Sequence, residues 1–115
     1  MNDRILGNYL KVHRRRAGLT QRELGQLVGY NRAWQVSRHE RSQAVPPLLI
    51  ALAYQEVLGM PVTALFTGMH ATVAQAVQRN LAAFRKKLEA GGTKGRKANE
   101  IARKLQWLTK RKIPA

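Results

Sequence analysis

Hydrogen-bonding side chains are concentrated between positions 31 and 43 of this 115-residue chain. If Val36 faces a core, helical spacing places the neighbouring residues on or near the opposite, outward face. The guanidinium of Arg38 can donate to both acceptors on the edge of a guanine, and the amide of Gln35 can pair with adenine. We interpret this face as a candidate surface for contacts with bases. Its candidate residues are Arg32, Ala33, Trp34, Gln35, Ser37 and Arg38.

Two of these candidates have a plain alternative role. Arg38 can instead contact a phosphate or remain a solvated charge. Trp34, at the start of a short helix, can cap the core rather than touch the methyl group of a thymine. The sequence leaves both alternatives open.

A second set of polar residues is better suited to phosphate oxygens. Gln21 is predicted at a helix N-terminus, where backbone N–H groups already favour anions. Arg22 and Arg41 carry positive charges of the kind that hold a protein in register on a nucleic-acid backbone. The phosphate-contact candidates are Gln21, Arg22, Asn31, Arg41 and Gln43.

Catalytic chemistry finds little support in the sequence. The three histidines, His13, His39 and His70, lack the spacing of metal ligands, there is no cysteine, and the six acidic residues are scattered. We expect each histidine at the surface or at the boundary of the core. The prediction is a non-enzymatic protein with no metal and no cofactor.

Charge is the strongest compositional signal. The chain contains 21 Lys and Arg against 6 Asp and Glu, a formal net charge of +15. An excess of this size favours a polyanionic partner, although a solvated basic tail would produce the same count.

With 44% hydrophobic residues the chain can form one modest core. Neither an apolar signal segment nor a membrane-spanning run is present, so we expect a soluble, intracellular protein that does not enter a membrane.

One predicted helix has signals at both of its ends. Thr20 is a ready N-cap, and Glu23 three residues later completes a capping box. The helix then covers Gln21 to Val28, and Gly29 ends it where a left-handed backbone is cheapest. Gly25 is small enough for close contact with a second helix, which follows within a few residues.

Four further short helices are predicted around it, and together they form one all-α unit over residues 1–68. They cover about 5–17, 32–41 with Asn31 as N-cap, 46–58 before Gly59, and 61–67 before Gly68. Their expected inward residues are Ile5, Leu6, Tyr9, Leu10, Val12, His13 at the edge of that face, Leu48, Leu52, Leu58, Leu65 and Phe66.

The remaining residues, 69–115, have a different pattern and are predicted to form a basic helical extension. Apolar residues recur every three or four positions from Val73 to Leu88, which predicts one amphipathic helix over 71–89. A glycine-rich break at 91–95 separates it from a last helix at about 98–110. This extension holds twelve basic residues against two acids, whereas residues 1–68 hold nine against four.

Residues 5–66 resemble the helix-turn-helix domain of the Xre family, the phage repressor and Cro-like regulators. The similarity is carried by AGLTQRELGQLVG, by VSRHE and by PPLLIALAYQEVLGMPVTALF, in that order. It implies a five-helix repressor-like bundle whose third helix enters the major groove of DNA. It also implies an internal ion pair between Arg14 and Glu40.

The chain departs from the family near the predicted third helix. The segment from Gly29 to Glu40 has one residue more than the family usually has, and the extra residue must precede Val36. His39 stands where the family usually has an apolar residue, and Ser42 where it often has glycine. The family's DNA contacts from the start of the third helix are therefore the least transferable to this chain.

The resemblance implies a sequence-specific transcriptional regulator, a repressor that binds double-stranded DNA as a homodimer on a near-palindromic operator in the bacterial cytoplasm or nucleoid. Two apolar surfaces are candidates for dimerisation: the turn that some relatives use, and the stripe on the helix that follows it. Their residues are Met60, Val62, Phe66, Val77, Leu81, Phe84 and Leu88. The stripe can instead pack on its own domain.

Two other functions remain open at this point. A nucleoid-like protein would bind DNA mainly through the basic extension and with little regard to sequence. An antitoxin or accessory factor would use its C-terminal helices to bind a protein partner.

Overall fold

The computed structural model describes residues 7–91 and 97–111, and every regular element in these ranges is an α-helix. The predicted all-α class is confirmed. The helices are α1 (Leu10–Arg16), α2 (Gln21–Val28), α3 (Trp34–Glu40), α4 (Leu48–Leu58), α5 (Val62–Leu65), α6 (Thr67–Ala90) and α7 (Lys97–Lys110). The chain divides into an N-terminal and a C-terminal unit between Val73 and Ala74, within α6.

Helix α2 has the predicted bounds because local signals fix both of its ends. The Thr20 hydroxyl accepts from the backbone N–H of Glu23 at 3.1 Å, and the Glu23 carboxylate accepts from the backbone N–H of Thr20 at 2.9 Å. Hydrogen bonding to its carboxylate, first from the backbone N–H of Thr20 and then from the Thr20 side chain, lowers the pKa of Glu23. Gly29 ends the helix with a φ of 106°, a left-handed conformation that favours glycine.

The core of the N-terminal unit takes one fully buried side chain from each of its first five helices. These side chains are Leu10, Leu24, Val36, Tyr54 and Leu65. Each helix thus buries one face in a common core, which is the predicted five-helix bundle.

Helix α1 starts later than predicted, and its buried face is different. It begins at Leu10, whose backbone N–H donates to the Asn8 side chain at 3.0 Å. Tyr9 and Val12, both predicted to face inward, are exposed, whereas Leu10 is buried as predicted and Arg14, four residues later on the same face, is buried with it. Ile5 and Leu6 lie outside the described residues.

Helix α4 also buries a different face from the one predicted. Leu48 and Leu52 are 72% and 41% exposed, whereas Ala51 and Tyr54 are buried. The run from Leu48 to Leu52 is apolar at every position, so periodicity could not identify the inward face. Leu58 packs partly buried against the core, as predicted.

The predicted stop at Gly68 is wrong. Leu65 and Phe66 are buried as expected, but α6 starts immediately afterwards at Thr67 and continues to Ala90. Gly68 lies in its first turn, where its N–H donates to the carbonyl of Gly7 at 2.9 Å.

The C-terminal unit consists of the rest of α6 and of α7. Leu88, 9% exposed, is the most buried large apolar side chain among its described residues. Leu81, Ile101, Leu105 and Leu108 are half-buried. Of the predicted break at 91–95, only Gly91 belongs to the described residues. No helix in the described ranges is long and apolar enough to span a membrane.

Candidate nucleic-acid interface

Helix α3 starts two residues later than predicted. It begins at Trp34 after Ala33, and no side chain caps it, so the proposed N-cap role of Asn31 is wrong. Residues 31–33 form bends instead. This is where the sequence places the extra residue, so the insertion lengthens the turn and leaves the register of Val36 to Glu40 intact.

The longer turn passes very close to α2. A Cβ atom at Gly25 would lie 3.1 Å from the carbonyl oxygen of Arg32 and 3.5 Å from the Val36 side chain. Since that first distance is tighter than ordinary van der Waals contact, Gly25 allows the approach of α3 that the sequence predicted.

The structure contains the Arg14 and Glu40 ion pair, which ties α1 to the end of α3. Arg14 Nε lies 2.6 Å from Glu40 Oε2, and Arg14 Nη2 donates to Glu40 Oε1 at 3.2 Å. The two side chains are only 9% and 2% exposed. Arg14 Nη1 also donates to the carbonyl of Leu19 at 2.9 Å, so the charge is satisfied on several sides.

Gln21 takes part in the same cluster. Its Nε2 donates to Glu40 Oε1 at 3.0 Å. The amide nitrogen that was a candidate for phosphate is therefore engaged inside the protein, where it ties α2 to α3.

His39 is a core residue, which corrects the expectation of a surface or boundary histidine. It is 4% exposed, and its Nδ1 lies 2.8 Å from the hydroxyl oxygen of Tyr54. Burial lowers the pKa of His39, and the nearby charge of Arg38 lowers it further. Burial likewise raises the pKa of Tyr54. The polar side chain is tolerated in place of an apolar one because Tyr54 supplies a hydrogen-bond partner.

Asn8 is a structural residue that the sequence analysis did not identify. Its Nδ2 donates to the carbonyl of His39 at 2.9 Å and to the Ser42 hydroxyl at 3.2 Å. Ser42 has a φ of 57°, which explains why a glycine is common at this position. The only sequence signal was the replacement of that glycine, and it did not point to Asn8.

Arg38 and Trp34 lie together on the outward face of α3. The guanidinium carbon of Arg38 is 5.9 Å from the centroid of the Trp34 ring, a cation–π arrangement between residues four apart. Trp34 is 52% exposed and Arg38 is exposed too. Trp34 therefore does not cap the core.

The other base-contact candidates differ in exposure. Arg32 is exposed in the turn, whereas Ala33, Gln35 and Ser37 are half-buried. Gln35 Oε1 is a buried side-chain oxygen with no hydrogen-bond partner in the described part of the chain. An unpaired acceptor of this kind is costly, so a group that donates to it would be stabilising.

The remaining phosphate-contact candidates are all exposed: Arg22 on α2, Asn31 in the turn, and Arg41 and Gln43 after α3. Their charges and amides can meet a partner without first breaking an internal bond. The described residues contain no cluster of His, Cys, Asp or Glu that could hold a metal ion.

The dimerisation candidates do not form uniform surfaces. Phe66 belongs to the core of the N-terminal unit, and Met60 and Val62 pack against that core. In the C-terminal unit Val77 and Phe84 are exposed, Leu81 is half-buried and Leu88 is buried.

The comparisons with known proteins concern the same part of the chain. A family model described as a helix-turn-helix domain matches residues 5–65. No curated protein and no solved structure matches the chain significantly.

Proposed function

Because the chain belongs to this family of Xre/Cro-like helix-turn-helix domains, which bind DNA, we propose that it is a sequence-specific transcriptional regulator that reads the major groove with α3. The observation that carries the proposal is the exposed Arg38, held against Trp34, on a helix whose opposite face is fixed to the core. The proposed activity is binding and not catalysis.

The back of α3 is anchored to several other elements. Val36 fills the core, Glu40 is paired with Arg14, and His39 is bonded to Tyr54. A recognition helix held in this way loses little further freedom on binding, because its orientation is already determined.

Arg38 is the proposed base reader. Contact with the Trp34 ring restricts its guanidinium, and the planar group can donate two parallel hydrogen bonds to guanine. Gln35 lies next to Trp34 on the same helix; because its Oε1 is buried, the side-chain amide must turn outward before it can pair with an adenine. Ser37, Ala33 and Arg32 complete the proposed base-facing set.

Arg22, Asn31, Arg41 and Gln43 are proposed to contact phosphates and to set the register of α3 without reading sequence. Gln21 supports them indirectly, because its amide holds Glu40 and thereby the end of α3.

We further propose that the regulator is a homodimer on a near-palindromic operator, where it represses by blocking polymerase. The N-terminal unit has an apolar groove of about 380 Å³ between the start of α4 and the start of α6, lined in part by Val45, Leu48, Val62 and Val73. No Lys, Arg, Asp or Glu lines it. Two chains of net charge +15 repel each other, so an uncharged apolar face is the surface that favours a second copy.

The deciding experiment selects bound sites from a random DNA pool and then compares two arginine variants on the preferred site. Arg38→Ala should lose about 1–3 kcal/mol of binding free energy there and relax the preference at one base position. Arg22→Ala, a phosphate-contact control, should weaken the preferred site and random DNA alike. Equal losses on both DNAs for Arg38→Ala would refute base reading by Arg38.

The basic excess of residues 69–115 supports a second candidate, a nucleoid-like protein that binds DNA with little sequence preference. The same selection separates the two functions. A regulator should bind its selected site at least about a thousandfold more tightly than random DNA at physiological salt. A ratio near one would favour the nucleoid-like function.

A further inference from the structure

The C-terminal unit contains a groove of about 410 Å³ that the proposed DNA contacts do not use. Its apolar part includes Leu81 and Ala82 of α6 and Leu108 of α7. Leu81 and Leu108 are only half-buried, so the groove presents apolar surface to solvent. A small helical unit gains stability by covering such surface.

The charges around this groove are mostly of one sign. Arg85 and Lys86 on α6 and Arg111 after α7 line it, and Glu89 is the single acidic residue among its lining. These cations lie next to the apolar side chains and can meet carboxylates at the edges of a bound segment.

A duplex is a poor match for this combination, because its phosphates would satisfy the cations and leave the leucines uncovered. A second copy of the chain is also disfavoured, since it brings only 6 acidic residues and a net charge of +15. An amphipathic helix satisfies both features. Its apolar residues, spaced by three and four positions, cover the leucines, and its acidic flanks face the cations.

We propose that this groove is a docking site for an acidic amphipathic helix of a partner protein. The site contains no residue of α3, and the proposal does not depend on which DNA sequence α3 reads. The proposal assigns partner binding to the groove and not to the exposed basic residues outside it, such as Lys87 and Lys110.

The test measures binding of synthetic peptides to the full chain by fluorescence anisotropy. The first peptide is a helix with leucines on one face and glutamates on its flanks. The second keeps every glutamate but replaces the leucines by serine. The proposal expects saturable binding of the leucine peptide and at least about tenfold weaker binding of the serine peptide, because the apolar face contributes. Equal binding of the two would show attraction by charge alone and overturn the proposal.

Charge-reversal variants locate the site. Arg85→Glu and Arg111→Glu should each weaken the leucine peptide at least about tenfold. Lys87→Glu and Lys110→Glu make the same charge change on exposed neighbours that do not line the groove, and should weaken it by less than about threefold. Circular dichroism checks that each variant keeps its helices. If a glutamate variant in the groove loses them, the corresponding glutamine variant, Arg85→Gln or Arg111→Gln, is tested in its place.

Two outcomes would contradict the proposal. One is an equal loss of peptide binding in the groove variants and the neighbouring controls. The other is loss of affinity for a random duplex in the groove variants with no change in peptide binding, which would make the groove a nucleic-acid contact. Arg38→Ala should leave peptide binding unchanged whether or not Arg38 reads DNA, so failure of this proposal is distinguishable from failure of the regulatory one.

Discussion

The two units of this chain use their apolar residues in different ways. In the N-terminal unit, each of the first five helices contributes one fully buried side chain to a common core. Among the described residues of the C-terminal unit only Leu88 is buried, and Val77, Phe84 and Trp107 are exposed. We infer that the N-terminal unit is stable by itself, whereas much of the apolar surface of the C-terminal unit is available for a partner.

Charge shows the same contrast. The N-terminal unit buries Arg14 and satisfies it with Glu40. The described part of the C-terminal unit has no ion pair, and those of its basic side chains that the structure describes face solvent or its groove. Paired buried charges fix geometry, whereas solvated charges attract without fixing it. This difference fits a unit that reads sequence and a unit that recognises acidic partners.

The largest effect is expected at the buried ion pair. Glu40→Gln removes the charge that compensates Arg14 and should cost about 3–5 kcal/mol of unfolding free energy, because it leaves an uncompensated buried charge. Chemical denaturation followed by circular dichroism measures this loss. The matched control is Glu56→Gln on the exposed face of α4, which should stay within about 0.5 kcal/mol of the parent. Equal stabilities of the two variants would mean that the pair contributes nothing to the fold.

Core truncation tests the contrast in packing. Leu24→Ala should cost about 2–5 kcal/mol, since Leu24 is fully buried. Leu27→Ala on the exposed side of the same helix, and Leu105→Ala in the C-terminal unit, should each cost less than about 1.5 kcal/mol because less apolar surface returns to water. Denaturation midpoints of the three variants provide the comparison. A loss at Leu105 as large as that at Leu24 would show that the C-terminal unit has a core of its own.

The sequence predicted best those features that short-range chemistry determines. The predicted bounds of α2 were correct to the residue, because Thr20 and Glu23 cap its start and Gly29 ends it through local contacts alone. The start of α3 was wrong because the extra residue could be accommodated anywhere before Val36, and no strong cap marked its position. The face of α4 was ambiguous because consecutive apolar residues remove the periodic signal.

The candidate interface was predictable in part. The outward positions of Arg38 and Trp34 followed from Val36 and helical spacing, and the Arg14 and Glu40 pair came from the family resemblance. The contacts of His39 with Tyr54 and Asn8 join residues far apart in the sequence, so no local pattern could indicate them. The internal role of Gln21 depends on the same tertiary geometry.

A smaller effect is expected from acidification, and it should be confined to the N-terminal unit. Burial lowers the pKa of His39 in the folded chain, whereas an unfolded histidine titrates near 6.5. As the pH falls below about 6.5, the unfolded chain takes up a proton that the folded chain refuses, so the free energy of unfolding decreases. Denaturation between pH 7 and pH 5 measures this slope. His39→Leu should flatten it, and His70→Leu at an exposed position should not. An unchanged slope in His39→Leu would mean that another group is responsible.

The smallest effect on DNA affinity is expected from the exposed basic residues of the C-terminal unit that lie outside its groove. Replacing Arg79, Lys87 and Lys110 together by glutamine should lower the slope of log affinity against log salt by about 0.9 for each phosphate that is no longer neutralised. The preferred DNA sequence should not change, because solvated charges follow the backbone and do not read bases. Arg38→Ala should do the opposite: it should change the preferred DNA sequence and change the slope of log affinity against log salt only a little. A triple variant that selects different sites would show that the C-terminal unit reads DNA directly, and the contrast between a reading unit and an attracting unit would then be wrong.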